Sequence, residues 1–280
     1  MGKKILLPTD FSISSWHAIQ YAITLFENYE CDFYILNTYV KNAHGLDNIN
    51  LLDPDEAFNK MSERKSKEGL GDILTQLLYL KTPLNHRFHV LSRSTDLVNA
   101  IKEVTEKLEI DIIVMGAKGM TSKKGKYGKN TLLVIENNRE CPIIIVPKNA
   151  SLKGIKEIVF TTNFNVNLGQ NKVQSLVEIA KIYNAKIQIL SLVTNKKLTK
   201  VQEQNKLLLQ KQLQEINFEF NVIQHVKLAT ALSCFIAIKQ SNMISYINKK
   251  PSFWKTLGFG KPNLQRLGFY KNVPVLAIQE

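Results

Sequence analysis

Residues 6–11 read LLPTDF and residues 159–164 read VFTTNF, two stretches of the same plan that lie 153 positions apart. Each is an apolar run that ends in a polar turn, as a buried strand does when it leaves the core. Apolar residues at helical spacing follow the first stretch, then a second short run at 33–36 and a long polar connection. Short apolar runs that alternate with amphipathic helices predict a mostly parallel sheet covered by helices.

The same plan continues to the end of the chain. LNHRFHVL at 84–91 matches INFEFNVI at 216–223, and RECPIII at 139–145 matches KNVPVLA at 271–277, both with an offset of 132. About 22 residues around 41–62 are therefore missing from the second copy, and loops absorb such differences at small cost.

The chain is thus predicted to hold two α/β domains in tandem. Copy one spans residues 1–148 and copy two spans residues 153–280, with KNASLKG at 148–154 as the linker. A length of 280 residues suits two domains that each bury a core.

Composition is that of a protein that folds in water. The chain is 44% hydrophobic and 22% charged, and no run approaches the roughly 18 apolar residues that span a bilayer. The first apolar stretch is too short for a secretory signal, so we expect a cytoplasmic protein with no membrane span. Cys31, Cys141 and Cys234 lack metal-ligand spacing and are expected to be buried, reduced thiols.

The net charge of +13 is divided unevenly between the copies. Residues 1–150 hold 19 Lys and Arg against 18 Asp and Glu, whereas residues 151–280 hold 18 against 6. Residues 220–279 contain eight Lys and Arg and no acid. Such asymmetry is typical of a protein with an anionic partner.

Residues 116–131, GAKGMTSKKGKYGKNT, combine several glycines with five lysines and no acid. They follow the strand-like run DIIVMG at 111–116 and enter a helix near Asn130. A strand, a glycine-rich turn and a helix N-terminus together present backbone N–H groups and the positive end of the helix dipole to phosphate oxygens. A glycine-rich turn by itself also fits an ordinary tight connection.

Four stretches together resemble the universal stress protein family: PTDFS at 8–12, VMGAKG at 114–119, GKNT at 128–131 and CPIIIVP at 141–147. The duplication is similar to that of the tandem two-domain members. The resemblance implies, for each copy, an open five-stranded parallel sheet flanked by helices, a Rossmann-like fold of the adenine nucleotide alpha hydrolase type. It also implies ATP binding through Gly, two residues, Gly, nine residues, then Gly followed by Ser or Thr.

Carried over to this chain, the resemblance implies an ATP site in copy one. Asp10 would contact the adenosine moiety, and Thr38 would meet the adenine through its backbone. Gly116 and Gly119 would pass close to the ribose and phosphates. The residues implied to bind nucleotide are Pro8, Thr9, Asp10, Thr38, Met115, Gly116, Lys118, Gly119, Gly128, Lys129, Asn130 and Thr131.

The end of this pattern departs from the family. Gly128, Asn130 and Thr131 would receive the β- and γ-phosphates at the helix start. Only eight residues separate Gly119 from Gly128, and Lys129 stands where the family has Ser or Thr. Lys129 could replace the lost hydroxyl with a charge, and Thr131 offers a hydroxyl close by. The alternative is a degenerate loop that serves folding alone.

Copy two has lost the glycine pattern. With the offset of 132, the first two glycine positions become Asn248 and Pro251 and the third remains a glycine, Gly260; with the offset of 153, the Asp10 position becomes Asn163. Proline has no N–H to offer a phosphate, and its ring fills the space that a glycine leaves. We therefore expect copy two not to bind nucleotide in the family manner.

The acid-free tract of copy two also interleaves its lysines with aromatic residues. Such a tract can stack on bases and pair with phosphates, which would suit nucleic acid. We favour the interpretation that the aromatic residues fill the core and the lysines form a solvated face. The aromatic residues are Tyr246, Phe253, Trp254, Phe259, Phe269 and Tyr270.

The sequence thus predicts a universal stress response protein that binds ATP or a related adenine nucleotide in copy one as a regulatory ligand, with or without Mg²⁺. Copy two would pack against copy one as an internal pseudo-dimer through strands at 143–146 and 275–278, and a homodimer of the chain is also open. No catalytic pair is visible, so at most slow ATP hydrolysis is expected. The alternative is a nucleotide-independent interaction module whose basic copy two binds nucleic acid or another anionic partner.

Overall fold

A computed structural model describes residues 2–39, 54–80, 82–118, 126–168, 172–192, 198–250 and 263–280. Within these ranges strands and helices alternate in each copy, which confirms the mixed α/β fold predicted from the sequence. None of the helices described there is long and apolar enough to cross a membrane.

Both copies follow the same order of elements. In copy one these are β1 (Lys3–Pro8), α1 (Ile13–Leu25), β2 (Cys31–Thr38), α2 (Pro54–Tyr79), β3 (His86–Arg93), α3 (Leu97–Leu108), β4 (Ile112–Gly116), α4 (Lys129–Asn137) and β5 (Ile143–Val146). In copy two they are β6 (Glu157–Thr161), α5 (Gln174–Tyr183), β7 (Lys186–Leu192), α6 (Lys200–Gln212), β8 (Phe218–Ile223), α7 (Leu228–Lys239), β9 (Met243–Asn248), α8 (Asn263–Leu267) and β10 (Val275–Gln279).

The ten described strands form one sheet in the order β3-β2-β1-β4-β5-β10-β9-β6-β7-β8. Neighbouring strands within each copy are parallel. In copy one the chain moves outward from β1 to β3 and then returns to the other side of β1 with β4 and β5. This reversal leaves a crevice at the carboxyl ends of β1 and β4, and copy two has the same crevice at β6 and β9.

The two halves of the sheet meet at β5 and β10. These strands pair antiparallel, with Ile144 opposite Leu276. The pairing gives each strand a hydrogen-bonding partner on an edge that would otherwise be exposed.

A buried polar network lies beside this pair of strands. Arg139 donates to the backbone carbonyl of Asn248 at 2.9 Å and to Oε1 of Gln279 at 3.1 Å. The Asn248 amide donates to the carbonyl of Ile135 at 2.7 Å and to Oε1 of Gln279 at 3.0 Å. Because a buried polar group is costly to leave unpaired, this network favours one arrangement of the two copies.

Apolar side chains cover both faces of the sheet and continue through both copies. Helices α1, α2, α5 and α6 pack on one face, and α3, α4, α7 and α8 pack on the other. Phe33 of copy one and Phe160 of copy two are fully buried in the same layer. Burial of a side chain of this size contributes about 1.5–3 kcal/mol, so the shared layers stabilise the halves together.

The long polar connection predicted after the run at 33–36 is wrong, because helix α2 occupies much of that stretch. Leu70, Ile73 and Leu77 are buried on one side of the helix, at a spacing of three and four residues. This spacing is the signal that could have identified the helix. The many charged residues that precede Leu70 in the helix obscure it, because most of the helix surface faces solvent.

Strand register corrects the alignment of the two copies. In copy one, Ile5 of β1 pairs with Ile112 of β4. Ile158 of β6 is the counterpart of Ile5, and it pairs with Met243 of β9. They make Ile247 the counterpart of Gly116, so the assignment of Asn248 to that position is wrong by one residue. Strands β3 and β8 shift by two residues in the same way. Short apolar runs match almost equally well when displaced along each other, whereas backbone pairing allows one register.

Two of the three cysteines are buried as expected, and the third is not. Burial raises the pKa of the Cys31 and Cys141 thiols to about 12, so both stay protonated and unreactive. Cys234 is exposed on α7, contrary to the expectation.

Candidate functional site

A cavity of about 150 Å³ lies in the crevice of copy one, at the carboxyl ends of β1 and β4. Nine of the twelve residues proposed from the sequence line it: Pro8, Thr9, Asp10, Thr38, Met115, Gly116, Lys118, Asn130 and Thr131. Gly119 lies outside the described residues, and Gly128 and Lys129 are not among the lining residues. Ligands of open α/β sheets bind in a crevice of this kind.

The turn after β1 is held by its own side chains. Thr9 Oγ1 accepts the N–H of Phe11 at 3.0 Å and donates to Ser15 Oγ at 3.0 Å. Asp10 Oδ1 accepts the N–H of Ser12 at 3.1 Å. Phe11 has a φ of 62°, which is strained for a bulky residue and is found mostly where a site requires it. These bonds fix the carboxylate of Asp10 at the edge of the cavity.

Helix α4 begins beside the cavity without a side chain to cap it. Its N-cap residue is Gly128, so the first amide groups of the helix have no capping side chain. The N–H of Gly128 donates to the carbonyl of Ala117 at 2.9 Å, which holds the end of β4 and the start of α4 together. Uncapped amide groups and the positive end of the helix dipole suit an anionic ligand.

The hydroxyl expected to help at this helix start has another partner. Thr131 is buried, and its Oγ1 donates to the carbonyl of Gly116 at 3.0 Å. In this arrangement the proton is given to the backbone, and a contact between Thr131 and a phosphate stays a prediction. Lys129 is exposed on the first turn of α4 and is not among the residues that line the cavity, so its role in place of the missing hydroxyl stays a prediction.

Gly116 is required by a neighbouring helix. A Cβ at this position would lie 2.8 Å from Oγ of Ser14 and 3.0 Å from its carbonyl oxygen. The absence of a side chain thus lets the start of α1 approach the end of β4. This contact explains the glycine without reference to a ligand, in contrast to the close approach of ribose and phosphates expected from the resemblance.

Three residues that line the cavity were not identified from the sequence: Ser15, Asn37 and Leu97. The Asn37 amide donates to the carbonyl of Thr9 at 2.8 Å and so ties the ends of β1 and β2 together. Leu97 enters from the start of α3. Their contribution depends on contacts between segments far apart in the chain, and a local motif does not contain that information.

The crevice of copy two contains a larger cavity, of about 280 Å³, with a different lining. Its turn repeats the geometry of copy one, since Asn163 Oδ1 accepts the N–H of Asn165 at 3.2 Å and Phe164 has a φ of 56°. Asn163 is neutral where copy one has a carboxylate, and Ile247 places a branched side chain where copy one has Gly116. The two crevices are therefore alike in backbone and unlike in chemistry.

Three aromatic residues of the basic tract are buried or half-buried, in agreement with the interpretation that the aromatic residues fill the core. Tyr246 is buried, and burial raises the pKa of its hydroxyl. Phe269 and Tyr270 are half-buried and pack on the layer formed by α3, α4, α7 and α8. Phe253, Trp254 and Phe259 lie outside the described residues.

The charged side chains that line the copy-one cavity are Asp10 and Lys118. Among the described residues, no group of three or more His, Cys, Asp or Glu is placed to hold a metal ion. His86 and His89 lie on opposite faces of β3: His86 is buried, and the exposed His89 contacts Asp32 at 2.9 Å. The cavity offers a carboxylate, an ammonium group and backbone donors, which together can bind a polar, partly anionic ligand.

The fold and the crevice define a tandem, doubly wound α/β protein with a candidate ligand site in copy one. The sequence model of the universal stress protein family matches residues 1–147. A universal stress protein of Methanocaldococcus jannaschii is 26% identical over 146 residues, which cover 52% of this chain and 82% of that protein.

Solved structures share the fold over the whole chain. A universal stress protein from Archaeoglobus fulgidus DSM 4304 superposes with a TM-score of 0.68 at 13% identity, covering 99% of this chain and 98% of that chain. The cytoplasmic domain of a prokaryotic cation chloride cotransporter superposes with a TM-score of 0.53 at 12% identity, covering 99% and 95%. The chain belongs to the universal stress protein family, because the family match covers more than half of its length.

Proposed function

We propose that copy one binds ATP or a related adenine nucleotide and that this ligand regulates the protein. The observation that carries the proposal is the copy-one cavity, where Asp10, Lys118 and the uncapped start of α4 surround one space at the sheet's switch point. Membership of the universal stress protein family supports it. A nucleotide needs an acceptor for its sugar and donors for its phosphates, and these groups supply both.

Each group has a distinct task in this proposal. Asp10 accepts hydrogen bonds from the nucleoside hydroxyls, because a carboxylate is an acceptor only. Lys118 and the first amides of α4 hold phosphate oxygens. The backbone of Thr38 meets the adenine from the end of β2. Any Mg²⁺ would arrive with the phosphates, since this ion is commonly held by substrate phosphates and few protein oxygens.

Copy two has a structural role in the same proposal. Residues 1–148 and 153–280 form two domains of an internal pseudo-dimer, and only the first binds nucleotide. The antiparallel pairing of β5 with β10 and the bonds of Asn248 support this division. Ile247 in the second crevice supports the loss of nucleotide binding there. Nucleotide then acts by shifting the balance between conformations or partners.

The test exchanges the charge between the two crevices. Asp10→Asn keeps the oxygen that accepts the N–H of Ser12 but removes the negative charge, and Asn163→Asp is the matched control in copy two. Equilibrium dialysis with ATP, with and without Mg²⁺, should show about tenfold weaker binding for Asp10→Asn, as the loss of a charge-assisted hydrogen bond predicts. Asn163→Asp should bind like the wild type. Equal effects of the two substitutions would contradict the proposal.

A second candidate function rests on the charges of copy two. Lys249 and Arg266 line the copy-two cavity, and no carboxylate is among its described lining residues. This arrangement favours an anionic partner that binds without nucleotide. A single-stranded oligonucleotide is a suitable probe: its affinity should fall steeply with salt, and Arg266→Gln should weaken it. Affinity that is independent of salt would exclude this function.

A further inference from the structure

A residue of copy two contacts two residues of copy one beside the copy-one cavity, Lys118 and Tyr127. The ammonium group of Lys118 lies 4.6 Å from the centroid of the Phe269 ring. The Tyr127 ring meets the same Phe269 ring edge to face, with centroids 5.0 Å apart. Phe269 of copy two therefore contacts both of these copy-one residues.

A hydrogen bond strengthens this contact. The Tyr127 hydroxyl donates to the carbonyl of Gly268 at 3.1 Å. Burial raises the pKa of Tyr127, so the phenol stays protonated and remains a donor across the physiological pH range. Gly268 has a φ of 93°, a conformation that favours glycine. The carbonyl that faces Tyr127 thus depends on a backbone shape that other residues rarely adopt.

Lys118 links the contact with Phe269 to the copy-one cavity. Lys118 lines the cavity and at the same time rests against the Phe269 ring. The bond from Gly128 to Ala117 holds the residues that flank 118–127 together. A residue of the other copy therefore contacts the ammonium group of a residue that lines the cavity.

We propose that Phe269 of copy two is a positioning residue for the copy-one site and that it holds the Lys118 ammonium group where a phosphate can meet it. The proposal rests on the function proposed above. A lysine side chain loses rotamer freedom when it binds a phosphate, and a contact that already restricts it reduces that loss. The ring suits this role, because its face attracts a cation without competing as a charged ligand.

This role predicts that substitution of Phe269 affects the binding of ATP and of adenosine differently. Lys118 acts on the phosphates, so Phe269 should affect ATP and leave adenosine unaffected. A residue that only stabilised the fold would change the affinity for both ligands. The comparison of ATP with adenosine therefore separates positioning from a structural effect.

The test is a double-mutant cycle on the full chain, with ATP and adenosine as probes in calorimetric titrations. Phe269→Leu keeps most of the apolar bulk and removes the electrostatic face of the ring. We expect it to weaken ATP binding about threefold to tenfold and to leave adenosine binding unchanged. In a Lys118→Met background, Phe269→Leu should have no further effect on ATP. Tyr127→Phe should give a smaller loss of the same kind, and it provides a second test because only one oxygen is removed.

Phe220→Leu is the matched control. The ammonium group of Lys206 lies at the same distance, 4.6 Å, from the Phe220 ring, and neither residue is among the described residues that line the cavities of the two crevices. This variant should leave both affinities unchanged. Equal losses for ATP and adenosine in Phe269→Leu, or an unchanged ATP affinity, would overturn the positioning role while leaving the nucleotide site in place. A wild-type chain that binds neither ligand would instead refute the proposed function, and the positioning role with it.

Discussion

At the residue scale, Gly116 illustrates how packing determines the shape of the candidate site. The start of α1 lies so close to the end of β4 that a Cβ on Gly116 would be 2.8 Å from Ser14 Oγ and 3.0 Å from the Ser14 carbonyl. Gly116→Ala should therefore lower the free energy of unfolding by about 1–3 kcal/mol, because backbone must move to accommodate it. Urea denaturation followed by circular dichroism measures this difference.

Gly71 provides the control for that substitution. It lies in α2, and a Cβ added there would have no heavy atom within 4 Å. Gly71→Ala should raise the free energy of unfolding by about 0.5–1 kcal/mol, as expected for alanine in an open helical position. If both alanines had the same effect, the contact with Ser14 would not explain Gly116.

Asp32 contributes to stability in a way that depends on pH. Hydrogen bonds from Arg87 and His89 lower the pKa of its carboxyl group to about 2. Because this folded-state pKa lies below the ordinary value of 3.8, the contribution is present above about pH 4 and is lost as the pH falls towards 2. Asp32→Asn should cost about 1 kcal/mol at pH 7 and almost nothing near pH 2. Urea titrations across this pH range test the prediction, and a cost independent of pH would contradict it.

At the element scale, the order of strands and helices could be predicted from the sequence, whereas register could not. The apolar runs that became β1, β4 and β5 are long and regular enough to be recognised locally. Helix α2 was missed because its buried stripe is narrow among many charged residues, and β9 was displaced by one residue because apolar runs tolerate sliding. Backbone hydrogen bonds between distant segments resolve both points, and a single sequence does not display them.

Asn248 is the element-scale test of the joint between the copies. Its side-chain amide is buried and donates hydrogen bonds to the carbonyl of Ile135 and to Oε1 of Gln279, so Asn248→Ala should lower the free energy of unfolding by about 1–3 kcal/mol. Because the hydrogen bond to Ile135 joins copy two to copy one, its removal should also broaden the unfolding transition or separate it into two. Asn138→Ala is the control, since Asn138 is also buried but donates its hydrogen bond to the carbonyl of Cys141 within copy one. An identical, single sharp transition in both variants would show that the network does not couple the copies.

At the scale of the whole molecule, one sheet carries two crevices with different chemistry. Much of the copy-one site followed from the motif, since nine of its predicted residues line one cavity. The uses of Thr131 and Gly116, and the contact of Lys118 with Phe269, did not follow, because each depends on a neighbour that is far away in the chain or on another face of the sheet. The second copy keeps the backbone of the turn and has Asn163 in place of the carboxylate of Asp10, and this difference supports the proposal that nucleotide binds in copy one alone.

The number of nucleotide sites per chain tests this account most directly. Calorimetric titration of the full chain with ATP should give saturable binding of one nucleotide, because copy one retains Asp10, Lys118 and the uncapped start of α4, and copy two has Asn163 and Ile247 instead. Two equivalent sites would contradict the proposed asymmetry between the crevices. No binding by the folded protein would contradict the nucleotide site itself.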